Sequence, residues 1–231
     1  MTPRKTARKK PAGSAGEPGL SLTDRAYRDL EEMIVTLQLP PGSAVSETAL
    51  SKRLGIGRTP IREALQRLAR ERLVTILPRR GIIVSEINVK SQLRLLEVRR
   101  EVERLVAKSA ARRATPEERE RFLDIASRFE KSAKTNDDVS FMRVDREFNE
   151  LSVMAARNEF AAGAMSLMHS LSRRFWYVHC KHAAFTPLTG KLYADIARSI
   201  SAGEVAAAGK AMDKLLDTVA SCTRATVTTE F

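Results

Sequence analysis

The residues best placed to do chemistry cluster around position 60. Arg58-Thr59-Pro60-Ile61-Arg62-Glu63 is followed by Gln66 and Arg70. A helix over this stretch sets Arg62, Gln66 and Arg70 one turn apart on a single face. Guanidinium forks donate to phosphate oxygens and to O6 and N7 of guanine, and a helix N-terminus adds free N–H groups. Thr59 suits the cap and can donate to phosphate, Pro60 suits the first helical position, and Arg62 in the first turn is the candidate base reader. A second basic pair, Arg79-Arg80, sits between two apolar β-branched runs, where it could enter a minor groove or hold a phosphate backbone. Taken singly, each arginine reads as part of a solvated face. Taken together they point to a polyanion.

The whole chain agrees. Its 231 residues carry a formal net charge of +12 and a pI of about 10.1, a balance that favours DNA, RNA or anionic lipid. Hydrophobic residues make up 43% and aromatics only 5%, so real cores are expected and the composition leans helical. No apolar run approaches the roughly 18 residues of a membrane helix. The opening MTPRKTARKKPAGSAGEPG has no apolar stretch and is not a secretory signal. A mitochondrial presequence is conceivable, but Pro and Gly oppose an amphipathic helix, and a disordered basic arm is expected. Cys180 and Cys222 form no CxxC pair, so neither a disulfide framework nor a zinc finger is implied, and a reducing cytoplasm is the default. His179-Cys180-Lys181-His182 invites a metal reading but lacks other ligands nearby; an exposed helix end is expected instead. No nucleophile–base pair or Gly-rich phosphate loop is visible, which argues against an enzyme.

These residues need elements to hold them. Tyr27, Leu30, Met33, Ile34 and Leu37 recur at spacings of three and four, predicting a helix capped by Ser21 or Thr23. Pro40-Pro41-Gly42 stops it. Ser46 caps a short second helix with Glu47 in its first turn, ending at Gly55 in a left-handed cap. The third helix buries Ile61, Ala64, Leu65 and Leu68. Residues 73–77 and 82–84 then form a hairpin around Pro78-Arg79-Arg80-Gly81. This order is that of a winged helix-turn-helix. A short linker at 86–89 leads to six helices packed as one bundle. Leu93, Leu96, Val102, Leu105 and Val106 stripe the first; Thr115 and Glu118 are spaced as a capping box before Phe122, Ile125, Ala126 and Phe129. Asn136-Asp137-Asp138 caps a helix bearing Phe141, Val144, Phe148, Leu151 and Met154, broken at Arg157-Asn158. Met165, Met168, Leu171, Phe175 and Trp176 mark the next. Thr186-Pro187 starts one that ends at Gly203, and Val205, Met212, Leu215, Leu216 and Val219 mark the last. The expected fold is mainly α, with a basic arm at 1–20, a winged helix-turn-helix at 21–86, a helical domain at 89–222 and a tail at 223–231.

Tyr27, Pro41-Gly42, Glu47, Leu50, Leu54-Gly55, the block from Arg58 to Leu65, Leu68, Leu73-Val74 and Arg80-Gly81 resemble the signature of the GntR family of bacterial regulators over about residues 22–86. The resemblance implies a dimer, usually a repressor, on a short palindromic operator, with Arg58 and Arg62 as base readers and Thr59 on phosphate. Three positions depart from it. Gly57 replaces a common Ser or Thr, Arg72 a common glycine, and Thr48 stands where some members read a base with arginine.

The helical part resembles the effector domain called FCD, carried by Leu96-Glu97-Val98-Arg99, Glu103, Asp145-Arg146-Glu147-Phe148-Asn149, Asn158, and the run from Ile196 to Glu204 with Ala207. Many members of that branch bind a divalent metal through one aspartate and three histidines. Asp145 keeps the aspartate, but Asn149, Tyr193 and Leu215 fall at the histidine positions, so the resemblance implies a lost metal site. Arg99 matches an arginine that faces the family's cavity. Arg99, Asp145, Asn149 and Tyr193 are the candidate effector residues, for a small organic acid or acyl compound bound without metal. Buried together, Arg99 and Asp145 could instead satisfy only each other, and the domain could have kept dimerisation alone. Trp176 and Tyr177 either line the pocket or belong to the core.

Overall fold

The computed structural model describes residues 20–77, 81–135, 137–179 and 185–229. The expected basic arm at 1–20 lies almost wholly outside them. So do Arg79 and Arg80 of the wing tip, and Cys180 and His182.

The N-terminal head comprises α1 (Leu22–Val35), α2 (Glu47–Leu54), α3 (Arg58–Arg70) and strands β1 (Ala44–Val45), β2 (Val74–Leu77) and β3 (Gly81–Val84). Ser21 caps α1 by accepting from the Asp24 N–H, and Ser46 caps α2 by accepting from that of Ala49. Gly55 closes α2 at φ 67°, left-handed backbone that glycine adopts freely. The hairpin pairs Val74 with Val84 and Leu77 with Gly81. A third strand was not foreseen: β1 lies antiparallel to β3, giving the order β1-β3-β2. Two residues are too few to show a period, so only the partner reveals the strand.

Two local expectations need correction. Thr59 is not the cap of α3. Gly57 holds that position with no side-chain bond, Thr59 and Pro60 sit in the first turn, and Pro60 is tolerated because first-turn N–H groups have no intrahelical partner anyway. Leu37 is not on the face of α1 but in the following turn at φ 61°, and Leu39 fills the core there.

The bundle comprises α4 (Val89–Arg113), α5 (Pro116–Thr135), α6 (Asp138–Ala156), α7 (Glu159–His179), α8 (Phe185–Ala202) and α9 (Val205–Thr229). Thr115 and Glu118 form a reciprocal capping box, each backbone N–H bonded to the other's side chain at 2.9 and 3.3 Å. Asp137 caps α6, and Arg157 ends it at φ 49°. Helix α9 runs on through residues 223–229, where a tail is expected from the sequence. Phe122, Phe129, Phe141 and Phe148 are fully buried, with Tyr193 stacked on Phe129 at 4.6 Å and Trp176 on Phe141 at 4.8 Å. Leu105 and Met154, expected on buried stripes, are exposed; Gln92, Arg99 and Glu103 take the inward face of α4. Cys222 is disulfide-bonded, where the two widely separated cysteines signalled nothing.

Candidate nucleic-acid interface and effector cavity

Helix α3 presents its inner face to α1 and its outer face to solvent. Ile61, Ala64, Leu65 and Leu68 are buried, whereas Arg58, Thr59, Arg62, Gln66 and Arg70 are exposed together. Exposed Thr48 stands on α2. The back of α3 is fastened to α1. Thr23 donates to Glu63 at 2.6 Å, Tyr27 to Glu71 at 2.8 Å, and the Arg67 guanidinium lies 3.6 Å over the Tyr27 ring. These ties hold the exposed face of α3 outward on a rigid support.

Glu47 was read from sequence only as a first-turn acid and a family position, and the structure gives it a further role. The Arg62 Nε donates to its Oε1 at 2.9 Å and Nη2 to its Oε2 at 2.8 Å, with Arg58 Nη2 3.8 Å away. The Arg62 hydrogen bonds hold the Glu47 carboxyl below the usual carboxylate range. The side chain of Arg62 is nevertheless 56% exposed and that of Arg58 64%. Arg62 is thus held in place by Glu47, and both its arms become available to another acceptor only when Glu47 is released. Fifteen residues separate the two, on different helices, so no local spacing reports the contact.

The second site lies inside the bundle. Arg99, Phe141, Asp145, Arg173, Trp176 and Tyr193 are among the residues that line a cavity of about 30 Å³, room for one water. Three expected effector residues, Arg99, Asp145 and Tyr193, therefore come together here. Asn149 does not line it; its amide donates to the Asp145 carbonyl at 2.8 Å and to Oδ1 at 3.2 Å. Arg99 and Asp145 do not satisfy each other. Arg99 donates to Glu103 one turn on, and Asp145 Oδ2 faces Arg173 Nε at 3.0 Å, an ionic contact off the hydrogen-bonding angle. Burial pushes the Asp145 carboxyl up despite Arg173 and Tyr193 beside it. Burial likewise pushes the Tyr193 hydroxyl well up. Trp176 lines the cavity as one sequence reading allowed. Arg173 and His169 were missed, because no motif singles them out; Glu103 was named only as part of the resemblance, not as the partner of Arg99.

The donors around Asp145 are a guanidinium and an amide N–H, and Leu215 is 1% exposed in the apolar core. A cationic donor beside the carboxylate and a leucine in place of a ligand do not fit a divalent cation. No group of three His, Cys, Asp or Glu converges among the described residues.

Head and bundle meet along α1. Glu31, on α1, is 1% exposed and pairs with both Arg146 and Arg173. Burial alone would raise its pKa, but those two guanidiniums hold it below the ordinary value. Around it, Arg28 pairs with Glu150 at 3.1 Å and Glu32 with Arg143 at 2.9 Å. Arg174, pulled down to about 10 by burial, donates to the carbonyls of Ser85 and Glu86 in the linker at 2.7 and 3.1 Å. A cleft of about 330 Å³ opens on this seam, bounded by Tyr27, Glu31 and Arg67 of the head and by Met165, His169 and Arg173 of α7.

Comparison with known proteins follows the same division. Residues 22–84 match the description "Bacterial regulatory proteins, gntR family", and residues 94–218 match the FCD domain. The HTH-type transcriptional repressor RspR of Escherichia coli is 26% identical over 210 residues, 90% of this chain and 91% of RspR. An HTH-type regulator of Streptomyces ambofaciens is 45% identical over 62 residues, which is 27% of this chain and 26% of that protein. YdhC of Bacillus subtilis is 26% identical over 149 residues, 63% of this chain and 65% of its own length. Among solved structures, E. coli McbR/YncC superposes with a TM-score of 0.71 at 18% identity, covering 86% of this chain and 94% of that one. A GntR transcriptional regulator of Rhodococcus sp. RHA1 gives 0.66 at 20%, covering 88% and 97%. Both show the shared fold.

Proposed function

The chain belongs to the gntR family of bacterial regulatory proteins and carries an FCD domain, and from that premise we propose that it is a repressor of a metabolic operon, bound to a palindromic operator as a homodimer and released by a small carboxylate-bearing effector. The observation that carries the reading is the outward face of α3, where Arg58, Thr59, Arg62, Gln66 and Arg70 stand free of the core on a helix fastened to α1. Thr48 on α2 flanks that face, and Arg79 and Arg80 extend it through the wing by sequence. The homodimer is supported by an apolar strip on neighbouring α4 and α7, where Val98, Leu105, Phe160 and Leu167 are all about half exposed or more. Two such heads would place two α3 helices on half-sites one helical turn apart.

The effector domain acts without metal in this reading, with Arg99, Asp145 and Tyr193 at the cavity and Asn149 behind Asp145. Stoichiometric zinc, nickel or manganese in the purified protein would contradict it. A second reading has one observation in its favour: the cavity holds no more than a water, as it would in a domain that only dimerises.

The test is selection of duplexes from a random pool by the full chain, followed by fluorescence anisotropy. Arg62→Ala should cost about 1–3 kcal/mol and relax preference at one position of the selected site. An unchanged preference overturns the base-reading role, and absence of duplex affinity at low salt overturns the function.

A further inference from the structure

Arg173 is shared between the two halves of the molecule. Its Nε lies 3.0 Å from Asp145 Oδ2 in the bundle, its Nη2 donates to the Met142 carbonyl at 2.7 Å, and its Nη1 donates to Glu31 of the head. The cavity wall also has open valences. Trp176 Nε1 is buried with no hydrogen-bond partner among the described residues, and Arg173 Nε and Asp145 Oδ2, also buried, meet each other only as an ion pair off the hydrogen-bonding angle. Two of the three are donors, one of them cationic, and both residues line the same space. That pair suits a carboxylate, which is acceptor-only and takes a guanidinium edge with two oxygens. The cavity itself is small, but His169 and Arg173 also bound the cleft of about 330 Å³ on the seam. A turn of Arg173 would join the two spaces, and the cleft has room for a small organic acid.

We propose that a carboxylate-bearing effector binds Arg173 and the Trp176 indole N–H in competition with Glu31, so that its binding loosens the DNA-binding head from the bundle. This rests on the regulator reading above and adds to it the ligating groups and the route of coupling. One guanidinium cannot offer a bidentate edge to the ligand while holding Glu31, Met142 and Asp145. Reciprocity then follows: what the ligand gains at Arg173, the head loses at Glu31. Arg146 stays beside Glu31, so the freed carboxylate keeps a counter-charge and the head stays folded.

The experiment is calorimetric titration of the full chain with hexanoate and benzoate, with hexanamide as the uncharged control. Glu31→Gln removes the competitor and should tighten hexanoate about tenfold, as expected if Arg173 is free in about a tenth of wild-type molecules. Glu32→Gln, which breaks the neighbouring pair with Arg143 and lines neither space, should leave affinity unchanged. Trp176→Phe should weaken it about tenfold, and hexanamide should not bind. Hydrogen exchange on the wild-type protein needs no variant that could misfold: saturating hexanoate should speed exchange of α1 amides near Glu31. Equal affinity in wild type and Glu31→Gln, no carboxylate binding, or unchanged α1 exchange overturns the proposal. A carboxylate that shifts duplex affinity equally in wild type and Glu31→Gln overturns this competition and leaves the regulator reading standing. Absence of duplex affinity sinks that reading, while the Arg173 competition is still decided by calorimetry.

Discussion

Arg62 and His169 show how neighbours decide what a side chain can do. Arg62 was found by its position in a helix, yet its resting geometry is set by Glu47 from another helix. His169 was only one of three histidines in the sequence. In the structure it sits in the wall between cavity and cleft, and burial, then Arg99, Arg173 and Arg146, hold its pKa well below 6.5. The folded protein therefore keeps it neutral while the unfolded chain takes up a proton below about pH 6.5. The unfolded state binds more protons there, so stability must fall as pH drops. Denaturant unfolding should show a loss of about 1 kcal/mol between pH 6.5 and 5.5 from this group. His169→Gln should flatten the profile over that window; an unchanged slope would place the proton uptake elsewhere.

Among the elements, the end of α3 is the clearest case of a rule met by the wrong residue. The N–H of Leu73 bonds the Leu68 carbonyl at 2.9 Å and that of Arg72 bonds Ala69 at 3.0 Å, the paired bonds of a Schellman cap, with Leu68 and Leu73 both buried. Arg72 occupies its left-handed position at φ 60°. Glycine is common at this place in the family resemblance, and the structure supplies the reason. Arg72→Gly should stabilise the chain by about 0.5–1 kcal/mol, the left-handed strain relieved less the added freedom of the unfolded chain. Equilibrium unfolding measures it, and a loss of stability would mean Arg72 contributes a contact worth more than its strain. Gly190 teaches the converse. Inside α8 it looks like a weak point, but a Cβ there would stand 2.6 Å from Ala133 Cβ and 3.1 Å from the Phe129 carbonyl. The glycine lets α5 and α8 approach closely, and nothing local to α8 announces it.

At the scale of the molecule, the unsatisfied surface is as informative as the core. Val98 and Leu105 lie seven residues apart on α4, as do Phe160 and Leu167 on α7, and all four face solvent. Leu105 was expected inside, on a buried stripe; its exposure on the same face as Val98 supports the proposed contact between copies. Leu105→Glu should convert a dimer to a monomer in light scattering and weaken duplex binding, because one head reaches only one half-site. A variant that stays dimeric would move the interface elsewhere. The seam between head and bundle behaves differently. Its pairs, Glu31 with Arg146 and Arg173, Arg28 with Glu150 and Glu32 with Arg143, are charged, and they stand beside apolar contacts made by Val35 of the head and Leu171 of the bundle.

By itself the sequence determined whatever depends on neighbours along the chain. The helix starts at Ser21, Ser46, Thr115 and Asp137, the stops at Gly55, Arg157 and Gly203, the hairpin and the exposed face of α3 were all readable, because caps, turns and periods act within about one turn. The candidate effector residues were legible only through a family resemblance; Arg99, Asp145 and Tyr193 do line one cavity, while the choice of Glu103 rather than Asp145 as partner of Arg99 was made by packing. Tertiary structure alone decided β1, the grip of Glu47 on Arg62, the seat of Glu31 between two arginines, and the place of Arg173. Each of these joins residues far apart in the chain, and buried charges take whichever opposite charge the packing brings near, a choice no local pattern records.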